Sequence, residues 1–351
     1  MKKFLRILAI VVAVLLILYI AGPREHVQDL SGPLPAVPQQ AAALDTFVQN
    51  REARVPGLKP DNEARIIWAD PAQPQKTRYS IVYLHGFGAS WAEGAPVHRQ
   101  LAKTFGCNLY LSRLAEHGID RPDAFSRLTA QSLVASAREA LAVGEALGDS
   151  VILMGTSMGG ALILYLASEH PELKAVIVYS PLVEDFGHQL PFLFKPWGTK
   201  LLQLVNFKGK SEQHVERPTA AERQYWSENF HVNAYRSLAV LAQSTMHDST
   251  FQKIRRPLFL GYYYRDSIHQ DSTVSVAAEL HMFDALATPA GEKEKKAFPR
   301  AGDHVIGSYI RSGDVDGVFR ATADFLETRA GLQPAAQLRD TTAIAPPPAR
   351  E

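Results

Sequence analysis

The chain has a single cysteine, Cys107, in 351 residues, which excludes an intramolecular disulfide and any cysteine-based zinc cluster. It also lacks an excess of charge of either sign. Lys plus Arg number 37 against 36 Asp plus Glu, so nothing in the overall charge draws the chain to nucleic acid or to an acidic partner. No internal repeat is found. With 46% hydrophobic residues the chain can bury a full core, and its length suits one large domain or two smaller ones. Cys107 lies in FGCNLYL, a strand pattern, and is expected as a small buried hydrophobe instead of a reactive thiol.

The first 22 residues are of a different kind. MKKFLRILAIVVAVLLILYIAG places Lys2, Lys3 and Arg6 ahead of a run without charge from Ile7 to Gly22, the pattern of a secretory signal peptide or an uncleaved anchor. Sixteen helical residues span roughly 24 Å against a bilayer core of ~30 Å, and Phe4 and Leu5 extend the run if Arg6 snorkels to the headgroups. Bulky Tyr19 and Ile20 stand near the candidate cleavage junctions, where a processed leader carries small residues, so an anchor is favoured. The basic flank keeps the N-terminus cytoplasmic and sends the remainder across the membrane, extracytoplasmic and single-pass, or secreted if the segment is cleaved. Residues 23–61 carry several prolines and read as a tether with one short helix at Ala41 to Glu52. The tail 333–351 has too few apolar residues to pack and is expected to be disordered.

Between the tails, strands and helices alternate. ARIIWAD, TRYSIVYLHG, CNLYLSR, VILMG, KAVIVYS, PLFLGYYY and KKAFP read as strands, several of them fully apolar. PVHRQLAKTFG, TAQSLVASAREALAVGEALG, MGGALILYLASEH, VSVAAELHMFDALA and DVDGVFRATADFLETRAGL read as helices. This is the pattern of an α/β fold with a mostly parallel central sheet covered by helices on both faces, in which sites lie at the carboxyl ends of strands.

Ser157 falls at such an end, in GTSMGG after the strand VILM. A GxSxG turn between strand and helix holds its serine in a strained conformation, with Gly155 and Gly159 making room for close packing. It also sets the Met158 N–H at a helix start, where the dipole favours a developing oxyanion. A second glycine-rich turn, YLHGFGAS, follows an earlier strand and offers the Phe87 N–H to the same oxyanion.

With these two motifs in this order and spacing, the chain resembles the α/β-hydrolase family over about Ala64 to Leu332. SRLAEHGID is similar to the LxxHG segment of the lysophospholipase, monoacylglycerol lipase and carboxylesterase branch, departing from it at Ala115-Glu116. The resemblance implies the chain order serine, acid, histidine. His304 in FPRAGDHVIGS is then the candidate base. Two acids are open: Asp266, near the end of the strand PLFLGYYY, and Asp271, which begins DSTVSVAAEL and is preferred because a following valine can anchor its loop. The family implies an acyl-enzyme mechanism with water as the acceptor, and no metal or organic cofactor.

Residues 182–254 interrupt the alternation and are expected as a mainly helical cap on a hydrolase domain of residues 62–332. Its cluster Leu190, Phe192, Leu193, Phe194, Trp197, Leu201 and Leu202 can line an acyl site, touch lipid, or pack the cap onto the core. The expected function is a membrane-anchored serine hydrolase acting on carboxylic esters, with acylglycerols and lysophospholipids among the candidate substrates. Thioester or amide hydrolysis, acyl transfer and a non-catalytic binding role on the same fold remain open alternatives. The oligomeric state is not readable.

Overall fold

The computed structural model describes residues 1–335. Seven strands form one sheet in the order β1-β3-β2-β4-β5-β8-β9: β1 (Arg65–Ile67), β2 (Thr77–Leu84), β3 (Asn108–Leu111), β4 (Gly148–Thr156), β5 (Ala175–Tyr179), β8 (Leu258–Tyr262) and β9 (Lys293–Ala297). Only β1 runs antiparallel to its neighbour; the other pairs are parallel. The central strands carry apolar runs, residues 81–84 in β2, residues 151–154 in β4 and Ala175–Tyr179 in β5, because both faces are covered there. In β2, Ile81 and Tyr83 belong to one core cluster and Val82 and Leu84 to the other, the two-residue period of a pleated strand.

Helices α4 (Ala130–Leu147) and α5 (Met158–Glu169) cover the face of Val82, Leu153 and Val178, with Leu133, Leu141, Leu162 and Leu166 in the same cluster. The other face lies under α3 (Val97–Phe105) and α11 (Val315–Thr328), whose Leu101, Phe105 and Phe325 pack with Ile81, Ile152 and Ile177. Local chemistry sets the helix starts. Thr129 and Ser132 form a capping box at α4, and the Ser275 hydroxyl accepts the Ala278 N–H at the start of α10 (Val276–Ala285), each satisfying amides the helix cannot. Cys107 is buried, and burial pushes its thiol up to about 12, as expected of a core hydrophobe.

Between β5 and β8 the chain forms α6 (Gly198–Val205), α7 (Ala220–Tyr225), α8 (Val232–Thr245) and α9 (Asp248–Phe251). It also forms a two-stranded ribbon, β6 (Glu212–His214) with β7 (Asn229–His231), which the polar sequence does not announce. The cap is tied to the sheet's loops: Ser227 N–H donates to Gly88 O at 2.7 Å, and Ser275 N–H to Glu184 O at 2.9 Å.

At the N-terminus, α1 (Lys2–Ile20) buries none of its residues, and its mean hydropathy reaches 2.6, long and apolar enough to cross a membrane by length and composition. The segment expected as a tether is laid against the domain. Leu30 is buried, and its carbonyl accepts from Arg138 Nη1 at 2.7 Å. Helix α2 (Ala41–Glu52) buries Leu44 and Val48, and Glu52 makes a two-point ion pair with Arg113, both nearly solvent-free. Removing one partner of such a pair typically costs ~3–5 kcal/mol. The expected disordered tail, 333–351, lies from residue 336 onward outside the described residues.

Candidate functional site

In the sheet order, β3 lies to one side of β2 and β4 to the other, so a crevice opens between the carboxyl ends of β2 and β4. Two turns meet there, His85 to Gly88 after β2 and Ser157 after β4. Ser157 takes φ 54° and ψ −120°, a region that costs a non-glycine residue roughly 1–3 kcal/mol. Its surroundings hold it: Ser157 N–H donates to Tyr179 O at 2.9 Å, and its carbonyl accepts from Ala161 and Leu182. The glycines are required by contact. A methyl group on Gly159 would lie 2.0 Å from the Leu84 carbonyl oxygen and one on Gly155 2.5 Å from the same atom. Met158 begins α5, so its N–H has no intrahelical acceptor.

The His85 turn closes on Ser157 from the β2 side. A methyl group built on Gly86 would sit 3.0 Å from Ser157 Cβ. His85 itself is structural. Its Nε2 accepts the Leu114 N–H at 3.1 Å, which leaves Nδ1–H to donate to Gly86 O at 2.9 Å. Burial holds its pKa down at about 4, so it stays neutral and joins this turn to the Leu114–Gly118 loop. His117 of that loop packs beside it, rings 5.0 Å apart. The Phe87 ring lies among Phe125, Phe230 and Tyr235, which fixes the backbone that carries the Phe87 N–H.

His304 and Asp271 come together from two other loops. Asp271 is buried, and its Oδ2 accepts from His304 Nδ1 at 2.5 Å. Its Oδ1 accepts the amides of Thr273 and Val274 at 2.8 and 3.1 Å, and Val274 is itself wholly buried. Burial alone would raise the Asp271 pKa, but the His304 charge and hydrogen bond, with those two amides, hold it below the usual carboxylate value. Burial lowers His304 in turn, yet the charge and hydrogen bond of Asp271, assisted by Glu93 and Asp303, carry it above the usual imidazole value. The other ring nitrogen, Nε2, is buried and has no hydrogen-bond partner among the described residues.

Asp266 is elsewhere. It is exposed and accepts the Ile268 and His269 amides and the His269 ring within its own turn. Four other histidines after Ser157 are also engaged elsewhere. His281 pairs with Asp248, His214 with Asn229, His231 caps α8, and His247 bonds Ser249 and Thr250.

Sequence reasoning missed Glu93. It sits on a short turn, Trp91–Gly94, and is buried, with Oε2 accepting the Gly86 N–H at 2.5 Å and the Tyr83 hydroxyl at 3.3 Å. Tyr83 in turn meets Thr156, the residue before Ser157, at 3.1 Å. The stretch after His304 is bonded to the same turn, Ser308 Oγ to Ala92 O and Tyr309 N to Ala95 O. Burial pushes Glu93 up to about 7. A lone Glu in a loop carries no sequence signal for this role.

The model of the alpha/beta hydrolase family matches residues 81–339, close to three quarters of the chain. The chain belongs to the alpha/beta hydrolase family. The chain is 29% identical over 116 residues to the thermostable monoacylglycerol lipase of Bacillus sp. strain H-257, a match that spans 33% of this chain and about half, 46%, of that relative. Among solved structures, one of the metagenome-derived lipolytic enzymes LipS and LipT superposes with a TM-score of 0.59 at 18% identity, covering 77% of this chain and 99% of that one. The Paleococcus ferrophilus monoacylglycerol lipase superposes with a TM-score of 0.52 at 13% identity, covering 75% and 97%. At these identities the superpositions speak for the alpha/beta hydrolase fold alone.

Proposed function

We propose that the protein is a membrane-anchored serine hydrolase that cleaves carboxylic esters of lipids, with monoacylglycerols as the leading substrate class. The observation that carries this reading is the strained Ser157 turn at the sheet's switch point, with the Asp271–His304 pair held at 2.5 Å in the loops beside it. A sequence relative named as a monoacylglycerol lipase supports the substrate class.

In this mechanism neutral His304 takes the Ser157 proton through Nε2 as Oγ attacks the ester carbonyl, and the tetrahedral oxyanion is met by the Phe87 and Met158 amides. Imidazolium then gives its proton to the leaving alcohol, leaving an acyl-enzyme. Water, deprotonated by His304, attacks the acyl carbon, and collapse returns the proton to Ser157 as the fatty acid leaves. Asp271 holds the Nδ1–H tautomer and stabilises the imidazolium. The apolar α1 is the anchor, with Lys2, Lys3 and Arg6 on the cytoplasmic side and the hydrolase domain outside.

The test is turnover by the full chain in mild detergent of p-nitrophenyl esters of graded length, a monoacylglycerol, an acyl thioester and an acyl anilide. The expected order is esters well above thioester, and anilide lowest. Thioester or anilide turnover exceeding every ester, or turnover of none, would overturn the reading.

Glu93 gives a further expectation. In Glu93→Gln an amide oxygen still accepts the Gly86 N–H, but a charge that raises the His304 pKa is gone. Since His304 must be neutral to act, the acid limb of the pH–rate profile should move to lower pH while the plateau changes little. Glu93→Ala also frees the turn, and its plateau should fall by up to ~10²-fold, the cost of a misplacement of about 1 Å. Parent-like profiles in both variants would reduce Glu93 to a space-filling role.

A further inference from the structure

The cap presents an apolar surface that the other described residues leave uncovered. Phe192, Trp197, Leu201, Leu204 and Val205 are 39% to 71% exposed. On α6, Leu201, Leu204 and Val205 fall at i, i+3 and i+4 and so share one face, while Leu202 packs against the core. Four exposed lysines flank these residues in the sequence, Lys195, Lys200, Lys208 and Lys210, and no acidic residue occurs between Phe186 and Ser211. An exposed apolar face flanked by lysines is the composition of a helix lying in a membrane interface.

The position of α1 selects the occupant. Its C-terminal end meets the cap at Trp197, whose Nε1–H donates to Leu18 O at 3.0 Å and whose backbone N–H donates to Pro23 O at 2.7 Å. Gly22 lies so close to the indole that an added methyl would be 2.1 Å from Nε1. A bilayer that takes α1 therefore has its surface near Trp197, and α6 begins at the next residue.

We propose that α6 and the adjoining Phe192–Trp197 segment form a docking surface for that same phospholipid bilayer, apolar side chains at the acyl boundary and lysines at the headgroup phosphates. This rests on the anchoring role of α1. The docked cap would stand between the lipid and the Ser157 site, since it bonds Gly88 through Ser227 and the Asp271 loop through Glu184 and Phe186, and a lipid ester would then enter from the membrane side.

The buried Cys107 leaves room for a single-thiol experiment on the full chain. Leu204→Cys, labelled with an environment-sensitive fluorophore, is reconstituted into phosphatidylcholine–phosphatidylglycerol vesicles, with Glu327→Cys on α11 as the reference. The label at 204 should shift to the blue, lose most of its intensity to spin labels carried on lipid, and be screened from aqueous iodide; the label at 327 should stay open to iodide. If the chain resists carbonate extraction but the 204 label is open to iodide and untouched by lipid spin labels, docking is wrong and the anchor stands. If carbonate strips the chain from the vesicles, the anchor fails and the docking with it. Screening from iodide without quenching by lipid would mean that a second copy covers α6, which also overturns the proposal.

Discussion

Ser157→Ala will fold like the parent and lose turnover by roughly 10⁴-fold or more, the scale seen when a nucleophile is removed from a serine hydrolase mechanism. Folding is spared because alanine brings no new atom into a nearly closed site and keeps the same backbone demand. The φ of 54° at this position is held by the bonds to Tyr179, Ala161 and Leu182, all made by the backbone. Chemistry is not spared, because the neighbouring hydroxyl on this turn, that of Thr156, is engaged with Tyr83. Circular dichroism and thermal melting should match the parent within error while ester hydrolysis keeps only the residual rate that binding and oxyanion stabilisation supply. A Ser157→Ala protein of parental activity would remove the nucleophile from the account.

Asp271→Asn is expected to lower turnover by about 10⁴-fold, the precedent for an analogous change in a serine protease, with substrate binding kept. Two effects combine. An asparagine amide facing Nδ1 favours the wrong tautomer, and the charge that raises the His304 pKa disappears. The sign of the second effect is fixed: His304 becomes a weaker base, stays neutral to lower pH, and the acid limb of the residual activity moves down in pH. Asp266→Asn should leave rate and profile near parental, because that carboxylate is exposed and spent on its own turn. The reverse ranking in folded variants would show that the loop works in a different register from the one seen in the structure.

Much of the fold was legible because burial on two faces writes itself into sequence as apolar runs. TRYSIVYL, VILM and AVIVY all stand in the sheet, and the short helix from Ala41 to Glu52 has the bounds that its sequence suggests. The packing of residues 23–40 was not legible. Prolines and polar residues there look like a linker, and what holds the segment is scattered: Leu30 against the core, its carbonyl on Arg138, and Glu25 paired with Arg236. None of these makes a period. The ribbon β6–β7 was hidden for the same reason, since its strands are three residues long and mostly polar.

At the candidate site the turn glycines could be read because sterics demand them. The choice between Asp271 and Asp266 turned on Val274, an apolar residue whose burial pins the loop and whose amide bonds the carboxylate. Glu93 could not be read at all: its importance lies in reaching Gly86 across a turn, a tertiary fact with no local pattern.

Peptide mapping by mass spectrometry of the full chain after treatment with a fluorophosphonate asks whether the Ser157 hydroxyl is the nucleophile that becomes acylated. One adduct is expected, on the peptide bearing Ser157, formed in step with the loss of esterase activity and absent after heat denaturation. Full inactivation with the adduct on another residue, or retained activity with Ser157 fully modified, would contradict the nucleophile role.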